Sequence, residues 1–110
     1  IAYHWNNASN TYNWQSGLIV PTQEWCMISV NVNSSSATAY LCRSSGITSA
    51  TNTVSHSSTT LDAINVGRDS KSNSGRNLDG RMSVAMIYNR ALTAAEVAQN
   101  YNALKGRYGL

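Results

Sequence analysis

Charged side chains are scarce in this 110-residue chain, where Asp, Glu, Lys and Arg together make up 12 %. The sequence has no Phe and a single Pro, and no apolar run reaches the length that a membrane-spanning helix needs. Apolar residues nevertheless make up 42 %, which excludes a disordered chain. We therefore expect a single folded domain over residues 1–110, with a surface solvated by the hydroxyls and amides of Ser, Thr and Asn.

Cysteine is also scarce, since only Cys26 and Cys42 are present. Two cysteines are too few for a disulfide framework, and no Cys/His spacing is typical of a zinc site. The two residues lie in neighbouring predicted strands, and two interpretations stay open. They form a disulfide if the strand register places them opposite each other, or they are two buried free thiols.

The net charge is weakly positive, at +3 with a pI near 9.1, and four cations lie close together in the sequence. They are Arg68, Lys71, Arg76 and Arg81. Such a patch suits an anionic partner, or it is a solvated loop whose cations pair with neighbouring Asp residues. Aromatic residues do not alternate with these cations as they do in proteins that bind single strands, so we do not expect nucleic acid as a partner.

Alternating apolar and polar residues predict a β-hairpin over residues 24–43. In "EWCMISVNVN", Cys26, Ile28, Val30 and Val32 fall on one face of a strand, "SSS" turns the chain, and "ATAYLCR" returns. The segments "NNASNTYNWQSG" and "SSGITSATN" are predicted to be loops. Further strands are predicted at "IAYHW", "TVSHS", "LDAINVG" and "RMSVAMIY".

The end of the chain is predicted to be a short helix. Thr93 at the N-cap and Glu96 three residues later form a capping box, while Leu92 and Val97 occupy the two positions of a hydrophobic staple. Gly106 is expected to terminate the helix. The apolar stripe that should face the sheet consists of Val97, Tyr101 and Leu104.

"GRMSVAMIYNRALTAAEVAQNY" resembles the closing strand and helix of laminin G-like domains of the concanavalin A-like lectin/glucanase superfamily. The family signature is a glycine and an alternating strand, then Tyr-Asn-Arg-Ala-Leu-Ser/Thr, two residues and Glu. Here Gly80, residues 88–93 and Glu96 match it. "EWCMISVNVNSSSATAYL" is similar to the family's middle hairpin, and "INVGRD" to the strand before its long loop. The tail "NALKGRYGL" resembles the ends of such modules in structural proteins of tailed phages.

The resemblance implies an all-β fold, an antiparallel two-sheet jelly-roll sandwich with one short C-terminal helix. The chain resembles the C-terminal two-thirds of such a domain, so the opening strands are expected to precede residue 1. The implied function is that of a non-enzymatic phage virion module: a capsid decoration, fibre or adhesion element on the virion surface. Expected partners are other virion proteins, copies of itself and host-surface polysaccharide. The alternative is a carbohydrate-binding accessory module of an extracellular glycan-active enzyme.

A candidate glycan site lies near the start of the chain, where aromatic residues stand beside amides. Tyr12, Asn13 and Trp14 are consecutive, and Trp5 is close in sequence. An aromatic ring stacks on the apolar face of a sugar while an amide binds its hydroxyls. The alternative for Trp5 and Trp14 is burial at the sandwich edge or at a subunit contact.

Many laminin G-like domains hold a calcium ion, and the resemblance implies a calcium site here as well. Calcium prefers oxygen ligands, and Asp69 and Asp79 supply carboxylates within one polar loop. The alternative is that these side chains form Asx turns that shape the loop.

Enzymatic activity is not expected. Glucanases of this superfamily use two carboxylates that alternate on one strand and flank the scissile bond. The five acidic residues contain no such pair; they are Glu24, Asp62, Asp69, Asp79 and Glu96. His4 and His56 are isolated in sequence, so we expect each to be a surface or hydrogen-bonding residue.

Overall fold

A three-stranded sheet and a C-terminal helix make up most of the regular structure in this computed structural model, which describes residues 1–60, 64–67 and 77–110. The elements lie in one compact unit, formed by Ile1–Ser58 and Arg90–Leu110; a second unit consists of Thr59–Asn89. In chain order the elements are helix α1 (Ser9–Tyr12), strands β1 (Met27–Val32), β2 (Ala37–Arg43) and β3 (Gly46–Asn52), helix α2 (Ala94–Leu104), and a 3₁₀ turn at Lys105–Arg107. Among the described residues, no helix has the length and apolarity needed to cross a membrane.

The sheet is antiparallel, with strand order β1-β2-β3. Met27 pairs with Cys42 between β1 and β2, which confirms the predicted hairpin. Ala37 pairs with Asn52 between β2 and β3, so the prediction of a loop over residues 44–52 is wrong. β3 is an edge strand whose side chains are mostly exposed, and its sequence therefore lacks the apolar alternation that marks a half-buried strand.

Ala37, Ala39 and Leu41 of β2 are buried on one face of the sheet, and a hydrophobic cluster lies between the other face and α2. Its buried members are Cys42, Val97 and Tyr101, against which Met27, Tyr40, Leu92 and Leu110 pack. The Tyr101 hydroxyl donates a hydrogen bond of 2.6 Å to the Arg43 carbonyl, at the last residue of β2. At the opposite end of the sheet, the Asn31 amide donates to the Leu92 carbonyl at 3.0 Å. These two bonds fix the direction in which α2 crosses the sheet.

The start of α2 confirms the predicted capping box. The Thr93 hydroxyl accepts a hydrogen bond from the Glu96 backbone N–H at 3.2 Å, and the Glu96 carboxylate accepts one from the Thr93 N–H at 2.8 Å. Leu92 and Val97, the two staple residues, both belong to the core cluster. The cap and the staple together fix where the chain enters the helix.

The end of α2 differs from the prediction, because Gly106 lies inside the 3₁₀ turn and does not stop it. The residue with left-handed backbone is Gly109, whose φ is +69°. The Leu110 N–H donates to the Lys105 carbonyl at 3.1 Å across this glycine, as in a Schellman motif.

Several predicted strands are wrong for the residues that the structure describes. "IAYHW" (1–5), "TVSHS" (53–57) and "RMSVAMIY" (81–88) contain no strand, and neither do residues 64–67 of "LDAINVG"; residues 61–63 lie outside the described ranges. The apolar side chains of residues 81–88 are exposed. The described ranges therefore support a β-sheet with a C-terminal helix, and the second sheet of a jelly roll stays a prediction.

Candidate functional site

The N-terminal segment and the residues after β3 bring four rings together, here called the aromatic cluster: Tyr3, Trp5, Trp14 and His56. Tyr3 is at the centre, with its ring centroid 5.6 Å from both the Trp14 and the His56 centroids. Trp5 meets His56 almost at right angles, at 5.8 Å. His56 is 8 % exposed. Edge-to-face contacts of this kind hold aromatic rings in fixed relative orientations.

A hydrogen-bond relay joins the aromatic cluster to the sheet. The Asn52 side-chain nitrogen donates to the Tyr3 hydroxyl oxygen at 3.0 Å and to the Asn10 carbonyl at 2.9 Å. The Tyr3 hydroxyl lies 2.7 Å from Nε2 of His56. Because the Tyr3 oxygen already accepts from Asn52, we assign its own hydrogen to the bond with His56, in which Nε2 is then the acceptor.

This assignment places the proton of a neutral His56 on Nδ1. Nδ1 is buried, and the described residues supply no hydrogen-bond partner for it. A buried polar atom without a partner is unfavourable and rare in a folded protein. The aromatic cluster thus contains one buried polar atom, Nδ1 of His56, for which the described residues supply no hydrogen-bond partner.

The loop that carries Trp5 is held by side-chain hydrogen bonds. The Trp5 indole N–H donates to the Ser57 carbonyl at 2.8 Å, and the Asn6 amide donates to the Ser57 hydroxyl at 2.8 Å. Asn6 and Asn7 have left-handed φ values of +46° and +57°, a conformation that Asn tolerates better than most residues. The backbone N–H of Trp5 donates to the buried Thr11 hydroxyl at 3.1 Å, which closes the loop onto α1.

Tyr12 and Asn13 lie on the outer side of this loop, at the end of α1. The Tyr12 side chain is 46 % exposed, and its ring stands edge-to-face with the exposed His4 ring at 5.3 Å. Asn13 is exposed at the C-cap of α1, with its N–H bonded to the Ser9 carbonyl at 3.0 Å. An exposed ring therefore stands beside an imidazole and a side-chain amide.

The four residues predicted for the glycan site thus occupy two positions. Tyr12 and Asn13 are exposed, whereas Trp5 and Trp14 are half-buried in the aromatic cluster, so each keeps only part of its ring at the surface. Sequence reasoning missed the residues that hold these rings: His4, Tyr3, Asn52 and His56. Tyr3 and His56 are 53 positions apart. No local spacing signals their contact; of the two expectations for His56, a surface or a hydrogen-bonding residue, the structure shows the hydrogen bond and burial.

Two carboxylates that the structure describes are engaged in ion pairs. Glu24 bonds to the Arg43 guanidinium at 2.5 Å, and Glu96 binds Arg90 through both oxygens, at 2.9 and 2.6 Å. The hydrogen bond from Arg90, with a smaller contribution from Thr93, lowers the pKa of Glu96 to about 2. The hydrogen bond to Glu24 raises the pKa of Arg43. These pairs lie on the sheet end and the helix start, where they stabilise the fold.

Of the two predicted calcium ligands, only Asp79 is among the described residues. Asp79 is exposed, and Asp69 lies outside the described ranges. Within those ranges, no group of three His, Cys, Asp or Glu side chains is close enough to hold a metal ion. The calcium site at Asp69 and Asp79 therefore stays a prediction that the described residues do not test.

Both cysteines are free thiols, with Cys42 buried and Cys26 half-buried. The register pairs Met27 with Cys42, so Cys26 does not have the cross-strand position that a disulfide requires. Burial, and to a smaller extent the Cys26 thiol, raise the pKa of Cys42 to about 11. Burial also raises the pKa of Cys26, to which Glu24 adds. Two protonated free thiols result.

Comparison with known proteins agrees with this architecture. A laminin G family model, described as the concanavalin A-like lectin/glucanases superfamily, matches residues 1–98. The matched range contains the aromatic cluster, the sheet and the first part of α2. Searches of curated proteins and of solved structures gave no match. The chain belongs to the laminin G-like domains of the concanavalin A-like lectin/glucanase superfamily.

Proposed function

We propose that this chain is a non-enzymatic carbohydrate-binding module, and that glycan binds at the surface formed by Tyr12, Asn13 and the exposed parts of Trp14 and Trp5. The observation that carries the proposal is the grouping of these rings in one N-terminal segment, where the exposed Tyr12 and Asn13 follow a loop whose tryptophans are held by edge-to-face contacts. The family fold is consistent with carbohydrate binding.

The site offers groups for both surfaces of a sugar, an aromatic ring for its apolar face and polar side chains for its hydroxyls. The exposed ring of Tyr12 offers an apolar face for the C–H groups of a pyranose. Asn13 and His4 offer amide and imidazole groups, each of which can donate and accept hydrogen bonds to hydroxyls. The Trp5–Thr11 and Trp5–Ser57 bonds hold the loop in place before a ligand arrives, which lowers the entropy cost of binding.

The positions of Glu24 and Glu96 favour glycan binding over glycan hydrolysis. Glycoside hydrolysis needs two carboxyl groups that face the same bond across a few ångströms. Glu24 and Glu96 are engaged by Arg43 and Arg90, and neither contacts a residue of the aromatic cluster through a described hydrogen bond. We therefore assign recognition, and no chemical step, to this surface.

The biological setting that we propose is the surface of a phage virion, where the module would attach to other virion proteins or to copies of itself and hold host-surface polysaccharide. The support is the likeness of the tail "NALKGRYGL" to modules of tailed-phage structural proteins. The genes beside the complete reading frame test this setting. Capsid and tail genes would support it, whereas carbohydrate-utilisation genes would favour the accessory module of a secreted enzyme.

The glycan site itself is tested by retention on immobilised host-surface polysaccharides. We expect the wild-type protein to be retained and Tyr12→Ala/Trp14→Ala to pass through unretarded, with the circular dichroism of a folded chain. Trp25→Ala is a matched control, because Trp25 is also an exposed ring of the first unit but contacts Tyr108 instead of the aromatic cluster. Equal retention of the double variant and the wild type would reject this site.

A further inference from the structure

We infer that the glycan held at the proposed site, formed by Tyr12, Asn13 and the exposed parts of Trp14 and Trp5, is a neutral polysaccharide recognised without any ionic contact; this inference rests on the proposed function. The sequence supplies the first observation. Residues 1–23 and 44–61 contain no Asp, Glu, Lys or Arg. Every ring of the aromatic cluster, together with Tyr12, Asn13 and His4, comes from these two uncharged segments.

The contacts of the aromatic cluster are equally uncharged. Its described hydrogen bonds go to hydroxyls, side-chain amides and backbone carbonyls of Asn52, Ser57 and Thr11. No guanidinium or ammonium group is among these partners. An anionic sugar such as a uronic acid or a sulfated hexose would lose hydration of its charge on binding here, and the described hydrogen-bond partners of the aromatic cluster include no cation that would replace that hydration.

The described cations of the first unit lie elsewhere. Asn52 pairs with Ala37, the first residue of β2, and bonds to Tyr3. The aromatic cluster is therefore anchored at this end of β2. Arg43 is the last residue of β2, about 20 Å away at the usual rise per residue, and it is paired with Glu24. Tyr101 bonds to the Arg43 carbonyl, so Lys105 and Arg107, which follow in the chain, belong to that far end.

Arg90 precedes α2 and is the described cation of the first unit that lies towards the Ala37 end of β2. The Leu92 carbonyl, two residues later, accepts a hydrogen bond from Asn31 at that end. Both terminal nitrogens of Arg90 are bound by the Glu96 carboxylate, at 2.9 and 2.6 Å. A bidentate pair of this kind has no net charge and keeps the guanidinium occupied. Charges at the far end are separated from the site by about two Debye lengths at physiological salt, so their effect is screened.

Stacking on rings and hydrogen bonds to hydroxyls are the interactions that remain. Both are nearly independent of ionic strength, unlike the attraction of a polyanion to cationic side chains. Within the first unit, an uncharged aromatic surface thus lies at one end of the sheet, and Lys105 and Arg107 lie at the other end.

The test measures binding of the wild type, Tyr12→Ala and the double variant Lys105→Gln/Arg107→Gln to two sets of immobilised probes. Dextran, laminarin and chitohexaose are neutral; alginate and heparin are anionic. We expect a neutral probe to bind best, with an apparent Kd that changes less than about twofold between about 50 and about 500 mM NaCl. Tyr12→Ala should weaken it at least about tenfold, and the charge variant should bind as the wild type does.

The other outcomes separate the two proposals. If alginate or heparin binds best and Tyr12→Ala abolishes that binding, the site is correct but the neutral class is wrong. If anionic binding is lost in the charge variant and kept in Tyr12→Ala, ligand binds at Lys105 and Arg107, and both the site and its neutral ligand are rejected. Absence of binding to every probe rejects the proposed function and this inference with it.

Discussion

Replacing Val97 by alanine tests how α2 is held on the sheet. Val97 is 1 % exposed and contacts the cluster of Cys42 and Tyr101. The change removes two buried methyl groups, each of which contributes about 0.8 kcal/mol, and leaves a cavity that raises the cost to about 2–3 kcal/mol. For a domain of this size, that loss lowers the melting temperature by roughly 10–20 °C.

The assay is urea denaturation followed by tryptophan fluorescence, with the melting temperature measured by circular dichroism. Gln99→Ala is the matched control, because Gln99 is exposed on the same helix and its replacement should change the free energy of unfolding by less than about 0.5 kcal/mol. If Val97→Ala and Gln99→Ala unfold at the same denaturant concentration as the wild type, α2 does not pack on the sheet, and the described core is wrong.

Three further predictions follow from the helix cap and the thiols. Thr93→Ala removes the cap acceptor and should cost about 1 kcal/mol in urea denaturation; an unchanged midpoint would contradict the capping box. Glu96 has a folded pKa of about 2, below its unfolded value near 4.5, so its contribution to stability is complete above pH 4.5 and is lost as the pH falls towards 2. The stability difference between wild type and Glu96→Gln should therefore shrink over that range, and a constant difference would contradict the pairing with Arg90. Iodoacetamide at pH 8 should alkylate half-buried Cys26 slowly and buried Cys42 more slowly still, as read by mass spectrometry, whereas fast labelling of Cys42 would show that it is not buried.

The elements that sequence predicts well are those whose signals are local. The β1–β2 hairpin has apolar alternation on both sides of a serine turn, and the start of α2 has Thr93 and Glu96 at capping-box spacing. Each of these patterns lies within ten or twenty residues. Both elements can therefore be predicted from local sequence, without knowledge of tertiary contacts.

Strands that depend on a distant partner are predicted poorly. β3 is polar because it lies at the sheet edge, so its sequence resembles a loop, although β-branched Ile47, Thr48 and Thr51 suit a strand. Residues 81–88 show the opposite case, since Met82 and Val84 begin a regular alternation but no strand forms there. Alternation shows that a segment is suited to a sheet, while pairing decides whether it joins one.

The candidate site was predicted in the same partial way. Tyr12, Asn13 and Trp14 are adjacent in sequence, and their residue types indicated a sugar-binding surface. The Tyr3–His56 contact and the Asn52 relay depend on how the N-terminal segment lies beside β3, which no sequence pattern shows. The burial of Trp5 against His56 likewise follows from the fold.

The central claim, that glycan binds at Tyr12, Asn13 and the exposed parts of Trp14 and Trp5, is tested most directly by tryptophan fluorescence in a Trp25→Phe variant. Its remaining tryptophans are Trp5 and Trp14, both in the aromatic cluster. Titration with a polysaccharide that retains the protein should change their emission in a saturable way, and the further change Tyr12→Ala should abolish the response. Tight retention of the polysaccharide with no change in the emission of Trp5 and Trp14 would show that the ligand binds elsewhere.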